Sequence, residues 1–324
     1  MAAHDGTHAA GSVGALGEFG LIDCLVGRFA TTPDVLLGPG DDAAVVAAPD
    51  GRVVATTDLL VEGRHFRRDW SSAFDVGRKA AAQNLADVVA MGARPTALLV
   101  GLGAPADLPA SWATGLADGL AHECALVGAT VVGGDVVGSD TVVVAVTALG
   151  DLEGRAPVTR AGATPGDVVA LAGRLGWAAA GLAVLGRGFR SPRVLADAHR
   201  VPVPPYAAGA AAALAGATAM LDVSDGLVQD AGHLADASGV VVALETARIA
   251  VDGPVAEAAA AFNADPLVWV LGGGDDHALL ATFRAGAALP DGFVAIGEVR
   301  AGDPAVLVDG AAWTGPAGHD HFAS

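Results

Sequence analysis

The sequence predicts an α/β chain of the α+β type, folded as two domains over residues 1–150 and 151–324. Strand-like and helix-like segments alternate along 324 residues, which is long for one ordinary domain. Glycines gather at the junctions between them. From Gly150 to Gly166 the pattern lapses into Gly, Pro, Arg and Asp, which suits a domain boundary or a long functional loop. With 52% apolar residues, each half has material for a core.

Met1 to Gly14 is small and polar with no basic stretch ahead of an apolar one, so it reads as a loose tail rather than a signal peptide. Val53–Thr57 is a β-branched run that predicts a strand ending at Asp58. Phe74–Met91 carries Leu85, Val88 and Val89 at helical spacing, and Gly92 is its stop signal. Ala97–Leu102 and Thr141–Leu149 read as strands, with a helix over Ser111–Val127 between them, closed by Gly128. In the second half, Asp167–Ala172 reads as a strand and Ala178–Leu185 as a helix. Ser191–Pro205 is a proline-bearing connection, and the alanine-rich Ala207–Ala217 is helix-friendly. Ala217–Val223 predicts a strand leading into a helix over Gly226–Ala237. Gly239–Leu244, His277–Phe283 and Phe293–Val299 complete the strands. The longest apolar runs are strand-sized, well short of the roughly 18 residues of a membrane span. Cys24 and Cys124 lie in apolar periodic segments and read as core thiols of a reducing cytoplasm.

Charge narrows the chemistry. Lys+Arg is 18 against Asp+Glu 36, a net charge of −18, so the summed field repels a nucleic-acid polyanion. Lys79 is the only lysine, flanked by Arg78 and Ala80, so no Gly-x-x-x-x-Gly-Lys phosphate loop exists. Any phosphates must be held by arginine, backbone N–H groups and metal ions.

The carboxylates gather beside glycine at five places. Gly38-Pro39-Gly40-Asp41-Asp42 is a turn, for which an Asx-type conformation is the plainer alternative. Thr56-Thr57-Asp58 offers two hydroxyls and a carboxylate at an expected strand end. Asn84 and Asp87 are three apart on one helical face. Gly133-Gly134-Asp135 follows Val131-Val132, and Asp222-Val223-Ser224-Asp225-Gly226 closes a strand and opens a helix, where Ser224 or Asp225 would also serve as an N-cap. Together they supply the hard oxygens that Mg²⁺ takes. Several carboxylates in one cleft repel one another and need cations or raised pKa values. Bound Mg²⁺ would in turn attract phosphate, which reconciles a −18 chain with a nucleotide.

Several motifs resemble the thiamine-monophosphate kinase family. They are Gly40-Asp41-Asp42-Ala43-Ala44, Thr57-Asp58 through Val61-Glu62-Gly63-Arg64-His65-Phe66, and Lys79 through Asn84-Leu85-Ala86-Asp87 to Met91-Gly92-Ala93. Gly133-Gly134-Asp135, Thr159-Arg160-Ala161-Gly162-Ala163, Pro165-Gly166-Asp167 and Val223-Ser224-Asp225-Gly226-Leu227 follow in the same order. The resemblance implies the two-domain fold of the aminoimidazole ribonucleotide synthetase superfamily, with the N-terminal sheets meeting across a homodimer. It implies transfer of the ATP γ-phosphoryl group to thiamine monophosphate, giving thiamine diphosphate. It carries Asp42, Thr56, Thr57, Asp58, Asp87, Asp135, Asp222 and Asp225 over as magnesium ligands, and Gly134, Asp135, Arg160 and Ser224 as nucleotide contacts. His65, Asp275 and His319 carry over as substrate contacts.

The chain departs from the family pattern in two places. The family's Gly-Gly-Glu-Asp-Tyr-Glu-Leu is Gly273-Gly274-Asp275-Asp276-His277-Ala278-Leu279 here, so the substrate carboxylate is one methylene shorter. The aromatic residue expected before Asp-His-Phe is His319, with Trp313 nearby as its alternative for stacking on the substrate. Against selenophosphate synthetase stands the absence of a reactive Cys, and against the purine enzyme stands the stretch from Val61 to Phe66. A non-catalytic relative is disfavoured by the intact aspartates. The Gly-Asp motifs are read as offering no His or Cys nucleophile, so the expected transfer is direct. His4, His8, His122, His199 and His233 show no metal spacing.

Overall fold

The structure is a computed structural model that describes residues 11–39, 43–316 and 318–319. Two compact units emerge. One takes the described residues up to Asn84 together with Pro95–Asp151, and the other takes Leu85–Arg94 and the described residues from Leu152 onward.

The first unit opens with α1 (Val13–Val26), capped by Ser12 Oγ and broken at Gly17, where φ is +70°. A small antiparallel pair follows, β1 (Val35–Leu37) and β2 (Val45–Val46). Then come β3 (Val54–Val61), α2 (Ala73–Ala90), β4 (Arg94–Ala104), α3 (Ala110–Ala125), β5 (Thr130–Gly138) and β6 (Val143–Asp151). Their sheet runs β3-β6-β4-β5, antiparallel between β3 and β6 and parallel between β4 and β5. The side-chain alternation of a strand divides it into two faces. One face, carrying Leu60, Leu98, Val144, Val146 and Ala148, is buried. The other carries Leu59, Leu99 and Val137, which are 52%, 40% and 54% exposed.

The second unit holds β7 (Val168–Ala172), α4 (Trp177–Gly186), α5 (Arg193–Arg200), α6 (Tyr206–Leu214), β8 (Ala219–Val223), α7 (Leu227–Ser238) and β9 (Val241–Leu244). After them come α8 (Gly253–Ala261), α9 (Pro266–Gly272), β10 (Ala278–Phe283), β11 (Phe293–Arg300), β12 (Ala305–Val308) and β13 (Ala311–Ala312). The sheet order is β13-β12-β9-β11-β7-β10-β8, antiparallel except where β12 meets β9. Ala219, Leu221 and Val223 of β8 face a large core with residues of α4, α7, α8 and α9. Met220 faces a second core, with Ala208 and Ala212 of α6 and with Val89 and Ala90 of α2.

Ser191–Pro205, expected as a plain connection, contains α5. Its prolines lie outside the helix, Pro192 just before the first turn, where the missing N–H costs nothing. The expected tail is also shorter, since Ser12 to Gly14 already enter α1; residues 1–10 lie outside the described residues. Among the described residues, no helix is long and apolar enough to cross a membrane.

Candidate functional site

In the first unit, Asp58 is not the end of a strand but the middle of one. Leu59-Leu60-Val61 prolongs the apolar run, and β3 stays paired to β6 as far as Val61–Val143. Alternation then puts Thr56 and Asp58 on one face and Thr57 on the other. Thr57 Oγ1 donates to Val146 O at 3.0 Å and accepts from Thr147 Oγ1 at 3.2 Å, so it belongs to the open face. The N–H of Asp58 points away from β6 and is taken by Asn84 Oδ1 of α2 at 3.0 Å. Asn84 is fully buried and its amide donates to Ala80 O at 2.9 Å, which makes it the structural partner of Asp58. His65 Nδ1 accepts the Val61 N–H at 3.0 Å, so in the neutral ring the proton sits on Nε2.

Gly133-Gly134-Asp135 also lies within a strand, β5, where Asp135 is exposed beside Gly101 of β4. A Cβ on Gly134 would lie 1.9 Å from Val100 O. Glycine is therefore required here by the close approach of β4, whatever else the residue contacts. Asp58 and Asp135 occupy the two opposite edge strands, three strand spacings or about 14 Å apart along the sheet. Asp41 and Asp42 lie outside the described residues.

In the second unit the aspartates converge. β8 ends at Val223, and the turn Ser224-Asp225-Gly226 leads into α7. The segment after α9 lies directly on this turn. Asp275 N donates to Ser224 O at 2.8 Å and His277 N to Val223 O at 3.1 Å. Only glycine fits at 274, because a Cβ there would meet Ser224 O at 2.2 Å. Asp275 and His277 hold φ of +72° and +52°, a backbone region sparsely used by non-glycine residues.

Alternation sends Asp222 to the same face of β8 as Met220. There His277 Nδ1 approaches Asp222 Oδ2 at 2.9 Å, both side chains buried. His277 Nε2 lies 4.0 Å from Asp275 Oδ1, and Asp275 Oδ2 lies 4.0 Å from His199 Nδ1 on α5. Burial alone would lower the His277 pKa, but the hydrogen bond to Asp222 and the charges of Asp222, Asp275 and Asp87 outweigh it, and the net shift is upward.

Two further carboxylates hold the turn. Asp230 Oδ2 accepts from both Asp225 N and Gly226 N at 3.0 Å, and burial pushes its carboxyl up to about 7. Asp276 accepts from Trp177 N and Ala178 N, each at 3.0 Å, at the start of α4; burial raises it to about 7 as well. Asp225, Asp230 and His233 bring one ligand atom each within 4.8 Å of one another. Gln229 Nε2 donates to Asp225 Oδ2 at 3.0 Å and to His319 O at 2.9 Å, so the C-terminal segment seats His319 beside this turn. The Trp313 indole N–H is bound to Pro316 O at 2.9 Å. Arg160 is exposed, with its carbonyl accepting from Ser238 Oγ at the other end of α7 from Ser224.

The donor set suits a hard cation. Asp225 and Asp230 bring carboxylate oxygens within 4.8 Å of each other, with a partly exposed entrance at Asp225, and Asp222 lies at the end of the strand that leads into the same turn. Asp276, Asp230 and His277 were missed as site residues, although His277 directly follows the Gly274-Asp275-Asp276 run. His233 and His199, read as background, lie beside the site because α7 brings His233 one turn past Asp230 and α5 brings His199 to Asp275.

Comparison with known proteins places the chain. Residues 40–152 match the N-terminal domain of AIR synthase related proteins and residues 164–309 the C-terminal domain. Thiamine-monophosphate kinase of Mycobacterium tuberculosis is 54% identical over 308 residues, covering 95% of this chain and 92% of the relative. That of Corynebacterium glutamicum is 42% identical over 297 residues, covering 89% and 87%. The solved structure of AaThiL complexed with AMPPCP and TMP superposes with a TM-score of 0.80 at 33% identity, covering 95% of this chain and 98% of that one. The hydrogenase maturation protein HypE, 19% identical with a TM-score of 0.74, shares the fold alone. With relatives this similar along nearly its whole length, the chain belongs to the thiamine-monophosphate kinase family, built on the two AIR synthase related domains.

Proposed function

We propose that this chain phosphorylates thiamine monophosphate with ATP, by direct in-line transfer of the γ-phosphoryl group to the substrate phosphate. The observation that carries this reading is the full-length likeness to a structure complexed with AMPPCP, an ATP analogue, and TMP. The acceptor needs little activation, since a phosphate monoester is largely ionised at pH 7. The barrier is then mainly repulsion between anions, and catalysis reduces to positioning and charge neutralisation.

The residues proposed to hold several Mg²⁺ ions, as a set, are Asp42, Thr56, Thr57, Asp58, Asp87, Asp135, Asp222 and Asp225. When bound, Mg²⁺ supplies the positive charge that a chain with one lysine lacks. Ser224, Gly134, Asp135 and Arg160 are proposed to orient the nucleotide, and His65, Asp275 and His319 the substrate. Residues 1–150 are read as the ATP- and metal-binding domain. We infer a homodimer formed through the open face of the four-stranded sheet. Supporting it are the exposed Leu59, Leu99 and Val137 and the division of Asp58 and Asp135 between opposite edges of one sheet.

The test is ADP release with Mg²⁺ and ATP across thiamine monophosphate, thiamine and aminoimidazole ribonucleotide precursors, with thiamine diphosphate identified as product. Turnover confined to thiamine monophosphate is expected. In-line attack inverts a chirally labelled γ-phosphorus, whereas net retention, or a labelled enzyme trapped with ATP alone, overturns direct transfer.

A further inference from the structure

The buried His277 lies between a residue proposed for the metal and one proposed for the substrate. Its ring is enclosed and 5% of the residue is exposed. Nδ1 is 2.9 Å from Asp222, assigned to the metal, and Nε2 is 4.0 Å from Asp275, assigned to the substrate. A carboxylate only accepts, so the hydrogen bond to Asp222 is an Nδ1–H donation. That bond holds one Asp222 oxygen and turns the other away from the imidazole.

The backbone reinforces the placement. His277 N donates to Val223 O, one residue beyond Asp222, and Asp275 N donates to Ser224 O. The ring and the two carboxylates are thus tied to the same two residues of the β8 turn. The left-handed φ of +52° at His277 is kept although the residue is not glycine, which marks a conformation fixed by its surroundings.

We propose that His277 is a positioning residue that orients Asp222 through its Nδ1–H and packs its Nε2 edge beside Asp275, 4.0 Å away, so that one ring sets both the metal side of the site and its substrate side. The proposal rests on the kinase reading above for the roles of the two aspartates. It assigns the ring no phosphoryl group to carry, because both nitrogens face carboxylates.

The two contacts can be cut separately. In His277→Asn the amide nitrogen replaces Nδ1 and the Nε2 side is lost, and asparagine tolerates a left-handed backbone. In His277→Gln the longer amide reaches toward Asp275 and the donor to Asp222 is lost. Mn²⁺ binding to the full chain without nucleotide, followed by electron paramagnetic resonance, reads the first contact independently of turnover. Residues that orient a metal ligand typically contribute 10- to 100-fold in affinity, so His277→Gln should weaken Mn²⁺ at least about 10-fold and His277→Asn less than about 2-fold. In steady state the order reverses for the substrate. His277→Asn should raise KM for thiamine monophosphate about 10-fold with KM for ATP unchanged, and His277→Gln should leave the former near its original value.

Equal effects of the two variants on both readouts, or none on either, overturn the proposal, as does a phosphorylated imidazole trapped from ATP. If the wild-type chain proves inactive on thiamine monophosphate, the kinase reading fails. The difference between Asn and Gln in Mn²⁺ affinity still decides the Nδ1 contact.

Discussion

Asp87 projects from α2 one turn beyond Asn84, and the two residues that looked like a pair in the sequence have different work. Asn84 is spent on the Asp58 N–H and the Ala80 carbonyl, while Asp87 is half-buried and its charge is felt by His277. Replacing Asp87 by Asn should lower kcat by about 100-fold or more while the melting temperature holds or rises. An amide supplies none of the charge that a metal-binding carboxylate does, and its loss relieves repulsion. Near-normal turnover at saturating Mg²⁺ would remove Asp87 from the metal set. Asn84→Ala should instead cost about 1–3 kcal/mol of stability in urea unfolding, because it leaves a buried N–H and a carbonyl without their side-chain partner. The acidic residues were legible in the sequence because glycines flank them. His277 was read past because its meaning depends on Asp222, 55 residues earlier, and no local spacing records that pairing.

Elements were legible where one face alone is apolar and illegible where that signal fails. α2 and α3 stand out by their periodicity and glycine stops, and every end of both lies within two residues of the expected bound. α1 is apolar around its circumference and broken at Gly17, so no stripe betrays it. α8 and α9 are short and alanine- or valine-rich, and β1, β2 and β13 are too brief to show a period. Expecting a strand to stop at Asp58, and expecting no strand through Gly133-Gly134-Asp135, had one cause, that polar or glycine residues inside a strand look like its end. At Gly134 the reason is steric, and it can be tested. Gly134→Ala places a methyl against the Val100 carbonyl of the neighbouring strand, which cannot retreat without breaking the β4–β5 ladder. A loss of about 3 kcal/mol is expected by urea unfolding. A stability within about 0.5 kcal/mol of wild type would mean the strands are not this close.

For the molecule as a whole, the proton balance is the property most open to measurement. Asp276 sits near 7 in the folded chain against about 3.8 when unfolded, raised first by burial. Between those values the folded chain holds a proton that the unfolded chain has released. Unfolding free energy therefore falls as pH rises through that window, by up to about 1.4 kcal/mol per pH unit, and levels off above 7. Asp230, also near 7, acts in the same direction. His277 adds to it, since a raised imidazole pKa gives stability that is present below about 6.5 and lost as pH climbs through the folded value. Asp276→Asn removes one share of this slope. The amide accepts only one of the two N–H groups of Trp177 and Ala178 at a time with its single oxygen, so the variant should be less stable than wild type at pH 5. It should match or exceed wild type at pH 7.5, where the buried aspartate is ionised. Urea midpoints of the metal- and nucleotide-free chain should therefore cross between those two pH values, and parallel lines would show that Asp276 keeps an ordinary carboxyl pKa.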